Sequence, residues 1–127
     1  MKGAMKTLTL TIDHLPPRDL NPNRARSIHW TKRSRVERSA REEAYWTAKA
    51  GCLWKQPLEK ARISYVFNLK DHRNRDLDNL IAASKPFTDG LVDAGVIGHD
   101  DIEHLEYGSI RAVVTGTEAT VIIVEEI

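Results

Sequence analysis

Over residues 60–70 the chain alternates without a break: Ala61, Ile63, Tyr65, Phe67 and Leu69 share one parity, and Arg62, Ser64, Val66, Asn68 and Lys70 share the other. A period of two belongs to a β-strand with one face against a core. No other stretch limits the fold as tightly. The strand runs straight into Asp71-His72-Arg73-Asn74-Arg75-Asp76-Leu77-Asp78-Asn79-Leu80, where carboxylates, cations and amides crowd together. In α/β proteins the ends of strands are a common place for a site.

The remaining elements follow from the same kind of reading. Leu8, Leu10 and Ile12 alternate with threonines over residues 6–13, which predicts a first half-buried strand ended by Pro16-Pro17. Residues 14–33 read as a long loop. Ser34-Arg35-Val36-Glu37 has the form of a capping box, so a helix is expected from there to about residue 53. Its Val36, Ala40, Ala44, Ala48 and Cys52 recur every four residues as a packable stripe, with Cys52 a small core residue. Asp78 is the expected N-cap of a second helix over Asn79–Ala94, kinked at Pro86 and stopped at Gly95. Asp100-Asp101 opens a third strand running to about Val114, with Gly108 as a bulge. Thr115-Gly116-Thr117 then turns into a last strand, in which Ala119, Val121 and Ile123 alternate with Thr120, Ile122 and Val124. The expectation is a single α/β domain spanning 1–127: one mixed sheet of about four strands packed with two main helices, in β-α-β-α-β-β order.

Asp76 and Asp78 are the chemical focus. Two residues apart in an extended segment, their carboxylates point to the same side. Such a pair repels itself unless a cation lies between the two or one is protonated. Carboxylate oxygens suit Mg²⁺ or Mn²⁺. Arg73, Arg75 and Lys85 nearby would draw a polyanion, so the constellation points to phosphodiester chemistry.

Arg75-Asp76-Leu77-Asp78-Asn79-Leu80, Lys85, Asp89-Gly90-Leu91, Ala94-Gly95 and Asp100-Asp101 together resemble the core of the RusA-type Holliday-junction resolvases. The resemblance is close over residues 73–101 and weaker over Asn21 or Asn23 and His29-Trp30. It implies a homodimer that cuts four-way DNA junctions symmetrically with Mg²⁺. It also implies catalytic roles for Asp76, Asp78, Asp101 and Lys85. The family's lysine stands four residues after the second aspartate of D-x-D. Here that position is Ala82, and Lys85 is read as the same lysine after a small insertion. A metal site would be built from Asp76, Asp78 and either Asp100 or Asp101, with the resemblance favouring Asp101. Mn²⁺ is expected to substitute for Mg²⁺.

Charge is distributed unevenly. Residues 18–41 carry eight Lys/Arg against two Asp/Glu, and residues 98–127 carry one against seven. The basic segment is the footprint expected of a phosphate-backbone binder. Arg24, Arg26, Lys32 and Arg33 of the early loop, with Arg73, Arg75 and Lys85, are the expected DNA contacts. His29 and Trp30 offer ring faces among those cations. Arg35, Arg38 and Arg41 lie near a helix start, where their charge opposes the helix dipole, and so hint at an outside anion.

A four-way junction has approximate two-fold symmetry, and one chain shows one acidic site. Two nicks therefore call for two chains. The last strand, Ala119–Ile123, and the helix bearing Trp46, with nearby Trp54, are the two candidate interfaces. No apolar run reaches membrane-spanning length, no signal-peptide core precedes the first strand, and the lone Cys52 has no partner, so a cytoplasmic protein is expected; the resemblance implies a bacterial or phage origin. Two other readings stay open: a nuclease of the same fold for flaps or forks, and a DNA-binding accessory protein without catalysis.

Overall fold

The structure is a computed structural model that describes residues 5–25 and 28–127. It is a small α/β domain with a four-stranded mixed sheet. The strands are β1 (Thr7–Ile12), β2 (Ala61–Leu69), β3 (Leu105–Val114) and β4 (Ala119–Glu126). Their spatial order is β1-β4-β2-β3. β4 lies antiparallel between β1 and β2, and β3 runs parallel to β2 at the open edge. A parallel neighbour cannot be reached by a tight turn, so the chain crosses over between β2 and β3. That crossover carries α3 (Leu77–Ala83) and α4 (Lys85–Asp93).

Alternation explains the layers. Leu8, Leu10 and Ile12 of β1, Ile63, Tyr65 and Phe67 of β2, and Ile122 and Val124 of β4 are all buried. They share one core with Ala40, Ala44 and Ala48 of α2 (Trp30–Gly51) and with Phe87 and Leu91 of α4. The opposite sheet face, with Val66, Asn68, Val121 and Ile123, is only half-buried. Tyr65 carries a hydroxyl into the core, where it shares a 2.7 Å hydrogen bond with Thr88. Burial pushes its phenol well above the ordinary tyrosine range, so it stays protonated.

Several expected boundaries moved. The first long helix begins at Trp30, a full turn before Ser34, because the His29 ring accepts the Thr31 N–H at 3.2 Å and caps it. Ser34 and Glu37 are therefore interior helical residues, not a capping box. The stretch expected to be loop contains a 3-10 turn, Arg18–Leu20, and the short α1 (Pro22–Ala25). The second expected helix is two helices. They break at Ser84, whose hydroxyl turns back to the Leu80 carbonyl at 2.9 Å. Pro86 then sits in the first turn of α4, where a missing N–H costs nothing. β3 starts at Leu105 rather than at Asp100-Asp101. Its expected bulge at Gly108 is present: the β2–β3 register slips between Ile63 and Tyr65. Gly95 ends the second helical segment at φ 78°, in the left-handed region.

α2 and α4 pack closely because both present small residues. A methyl group added at Gly90 would lie 2.9 Å from the Ala44 Cβ and 3.0 Å from the Tyr45 amide nitrogen. Arg41 on α2 clasps Asp93 on α4 through two bonds of 2.5 and 2.8 Å. Overpacking at such a seam costs about 1–3 kcal/mol. Gly90→Ala should therefore lower the unfolding free energy by that amount, read as a lower urea midpoint at an unchanged denaturant slope. An unaltered midpoint would mean that the two helices separate without loss.

Candidate functional site

The acidic stretch leaves the end of β2 as an ordered loop held by its own ions. Asp71 accepts the Arg73 N–H at 3.0 Å and the Arg75 guanidinium at 3.0 Å. Arg75 also donates to the Asp71 and Arg73 carbonyls at 3.1 and 2.9 Å. The backbone bond from Arg73, then the Arg75 guanidinium, hold the Asp71 carboxyl below the ordinary carboxylate range. Arg75 is only 17% exposed, whereas Arg73 stands out at 72%. Of the two arginines expected to meet DNA, Arg73 is presented outward and Arg75 braces the loop that presents it. The Asp71-x-x-x-Arg75 spacing was the overlooked signal for this brace.

Asp76, not Asp78, caps α3. One Asp76 oxygen accepts the Asp78 N–H at 2.9 Å. Asp78 lies in the first turn of the helix, so the two carboxylates are placed by cap geometry rather than by strand alternation. Both stand exposed where the helix dipole favours negative charge. The second Asp76 oxygen makes no hydrogen bond among the described residues.

Lys85 opens α4 and bridges two acids. Its ammonium lies 2.7 Å from Asp89, one turn on, and also bonds Asp100. Partial burial disfavours the lysine charge, but the bonds to Asp100 and Asp89 outweigh it, and the lysine pKa ends above its ordinary value. The same bond draws the Asp100 carboxyl below the ordinary range. Asp101 turns the other way, 2.5 Å from His104 Nδ1, and that bond lowers its pKa. His104 is in ring contact with His99, with centroids 4.5 Å apart.

The structure therefore brings Lys85, Asp89 and Asp100 together and sets Asp101 beside His104. It does not gather the expected metal ligands. Among the described residues no group of three or more His, Cys, Asp or Glu side chains is placed to hold a metal ion. Topology supplies the reason. Asp76 and Asp78 follow the end of β2, while Asp100 and Asp101 precede the start of β3. In a parallel pair those are opposite ends. By donor chemistry the carboxylates still suit a hard divalent ion, and Mg²⁺ is commonly held by one or two carboxylates with its own waters and substrate phosphate.

The basic segment is likewise structured. Asp19 meets both Arg24 and Lys32, at 3.4 and 3.6 Å, and Arg33 pairs with Glu37 at 3.0 Å. All three cations stay at least half exposed, and surface pairs of this kind are weak enough to exchange for a phosphate. Arg26 lies outside the described residues. Trp30 is 72% exposed and stacks on His29 at 5.8 Å, so its ring is not anchored in the core. Trp54 is committed inward by a 3.1 Å bond to the Val96 carbonyl, and Trp46 is exposed.

No family model matches the chain. A protein of Xylella fastidiosa (strain Temecula1), described as uncharacterized, is 37% identical over 106 residues. The match takes in 80% of this chain and spans 65% of that relative's length. Among the described residues no helix is long and apolar enough to cross a membrane.

The Lys85 bridge makes a titration prediction. Asp100 has a depressed folded pKa, so its share of stability is present above the unfolded carboxylate pKa of about 3.9 and is lost as pH falls through the folded value. Lys85 has a raised pKa, so its share is present below about 10.4 and is lost as pH rises through the folded value. Lys85→Met should raise the Asp100 pKa toward the ordinary carboxylate range, read by carboxyl-carbon NMR. An Asp100 titration indifferent to that substitution would contradict the bridge.

Proposed function

We propose that this chain is a Mg²⁺-dependent, structure-specific endodeoxyribonuclease of the RusA type, which resolves four-way DNA junctions as a homodimer in bacterial or phage recombination and repair. The observation that carries the reading is the Lys85 bridge. Its cation lies between Asp89 and Asp100 and lines a groove with Arg33, Arg38 and Arg41 of the basic α2.

In this reading Arg73, Arg24, Arg26, Lys32 and Arg33 hold the phosphate backbone, and Arg75 keeps the loop of Arg73 in place. Asp76 and Asp78 would hold Mg²⁺ together with the ion's own waters and a substrate phosphate, and the ion when bound would polarise a phosphoryl oxygen and lower the pKa of a water. The Lys85 ammonium offsets the negative charge that grows on the phosphorane and on the leaving oxygen as the phosphorus–oxygen bond breaks. To do so it must turn from Asp100 toward the DNA. Because Asp89 remains one helical turn away, the lysine keeps one partner during that exchange. The second copy that symmetric cutting requires has an open sheet edge available in β3, where Tyr107, Val113 and Val114 are exposed. β4 lies between two neighbours and has no free edge to offer. A cytoplasmic location belongs to the same reading.

One observation favours a second reading. Asp76 already serves as a helix cap, and Asp100 and Asp89 already share the Lys85 ammonium. A DNA-binding accessory protein of the same fold needs no more of them than that.

A supercoiled cruciform plasmid separates the readings. Paired nicks that linearise it only with Mg²⁺ identify a resolvase, cuts at flaps or forks a broader nuclease, and a band shift without cuts the accessory protein. Asparagine caps helices about as well as aspartate, so Asp76→Asn keeps α3 while removing charge. Asp76→Asn and Asp78→Asn should each slow cleavage about a hundredfold or more, with junction binding unchanged or tighter. Mixed dimers of wild-type and Asp78→Asn chains should nick once and seldom linearise. Cleavage at the wild-type rate by either variant would sink the assignment.

A further inference from the structure

A groove of about 660 Å³ lies between the first half of α2 and the junction of α3 with α4. Its volume falls in the range of small-ligand sites, roughly 300–1,000 Å³. Its floor is apolar: Leu20, Pro22, Ala82 and Pro86. Its rim is cationic, and most of the cations are already engaged. Arg33 pairs with Glu37, Arg41 with Asp93, and Lys85 with Asp89 and Asp100. Arg38 is different. It is exposed on the rim and forms no ion pair or hydrogen bond among the described residues. It stands more than two turns into α2, beyond the reach of the helix N-terminus, and no carboxylate among the described residues answers its charge.

We propose that this groove holds one unpaired nucleotide of a DNA strand, with the base lying on the Leu20–Pro22–Pro86 floor and an adjoining phosphate on Arg38. The inference rests on the reading of the protein as a DNA enzyme and adds to it where the strand runs. Lys85 belongs to both the groove and the acidic cluster, so a strand seated on Arg38 reaches the proposed cutting site at its next phosphates. An apolar floor beside a single uncommitted guanidinium matches the two faces of a nucleotide: a ring that gains by leaving water and an anion that gains a bidentate partner. A stacked duplex offers its phosphates to Arg38 but no free base to the floor. The groove therefore favours DNA with unpaired positions, as at a branch point.

The test is fluorescence anisotropy in EDTA, where binding is read without cleavage. The probes are a fluorescein-labelled oligo(dT), a linear duplex and a four-way junction assembled from oligonucleotides. Ala82 is exposed on the floor, so Ala82→Phe fills the groove without changing charge. It should weaken oligo(dT) and junction binding roughly fivefold or more and leave the duplex unchanged. Arg38→Ala should weaken all three and lower the salt slope by about one, and Arg38→Lys should restore the slope. Circular dichroism confirms that each variant is folded. If both folded variants bind oligo(dT) like the wild type, or if Ala82→Phe weakens duplex and single strand equally, the nucleotide site is refuted. If the groove behaves as described but no substrate is ever cut, the nuclease reading fails and the groove stands. If the wild type binds none of the probes, both fail.

Discussion

The parallel pairing of β2 with β3 is the constraint on which the rest of the molecule depends. Eight residue pairs join the two strands, from Ala61–Leu105 to Leu69–Val114. Because they run the same way, the chain must travel back along the sheet between them, and it does so as α3 and α4. Phe87 and Leu91 commit one side of α4 to the core, and Gly90 lets it nest against Ala44 of α2. Among the charged residues of this crossover's helices and cap, Asp76, Asp78, Lys85 and Asp93 remain outward and Asp89 is half-buried. The charged surface is therefore the solvent side of a structural necessity, and α2 brings its arginines to it because Ala40, Ala44 and Ala48 leave room for contact.

Electrostatics then sets how that surface behaves. Lys85 is shared between two carboxylates, Arg75 is consumed by the loop it braces, and Asp76 is a cap. Each bond steadies the surface and would be exchanged in part for the polyanion proposed above. Exposed pairs contribute little to stability, of order 0–1 kcal/mol, so the exchange is not costly. Arg38 and Arg73 are the cations most ready for such an exchange, the first without a partner among the described residues and the second 72% exposed.

Sequence periodicity was a faithful guide wherever one face of an element is buried. β1, β2 and β4 appear where alternation placed them, and the Ala40-Ala44-Ala48 stripe is buried as spaced. The pairing of Lys85 with Asp89 follows from their i, i+4 spacing on one helix. Failures came where a side chain chose between equivalent local bonds. His29 capped α2 in place of Ser34, and Asp76 capped α3 in place of Asp78; in each case neighbouring residues offer the same acceptor chemistry. The split at Ser84 was read as a kink at Pro86, since proline is compatible with both a bend and a fresh first turn. The relation of Asp76–Asp78 to Asp100–Asp101 could not be read at all. It depends on β3 being parallel to β2, and no local pattern states which neighbour a strand will choose.

The central claim is that Asp76 and Asp78, at the start of this crossover, hold a divalent cation for phosphodiester cleavage. Crystals of the protein soaked in Mn²⁺ test it directly through anomalous scattering. The account predicts a peak within about 2.0–2.6 Å of Asp76 or Asp78 oxygens. A peak confined to the His99–His104 pair, or none at either of these aspartates at saturating Mn²⁺, would contradict it.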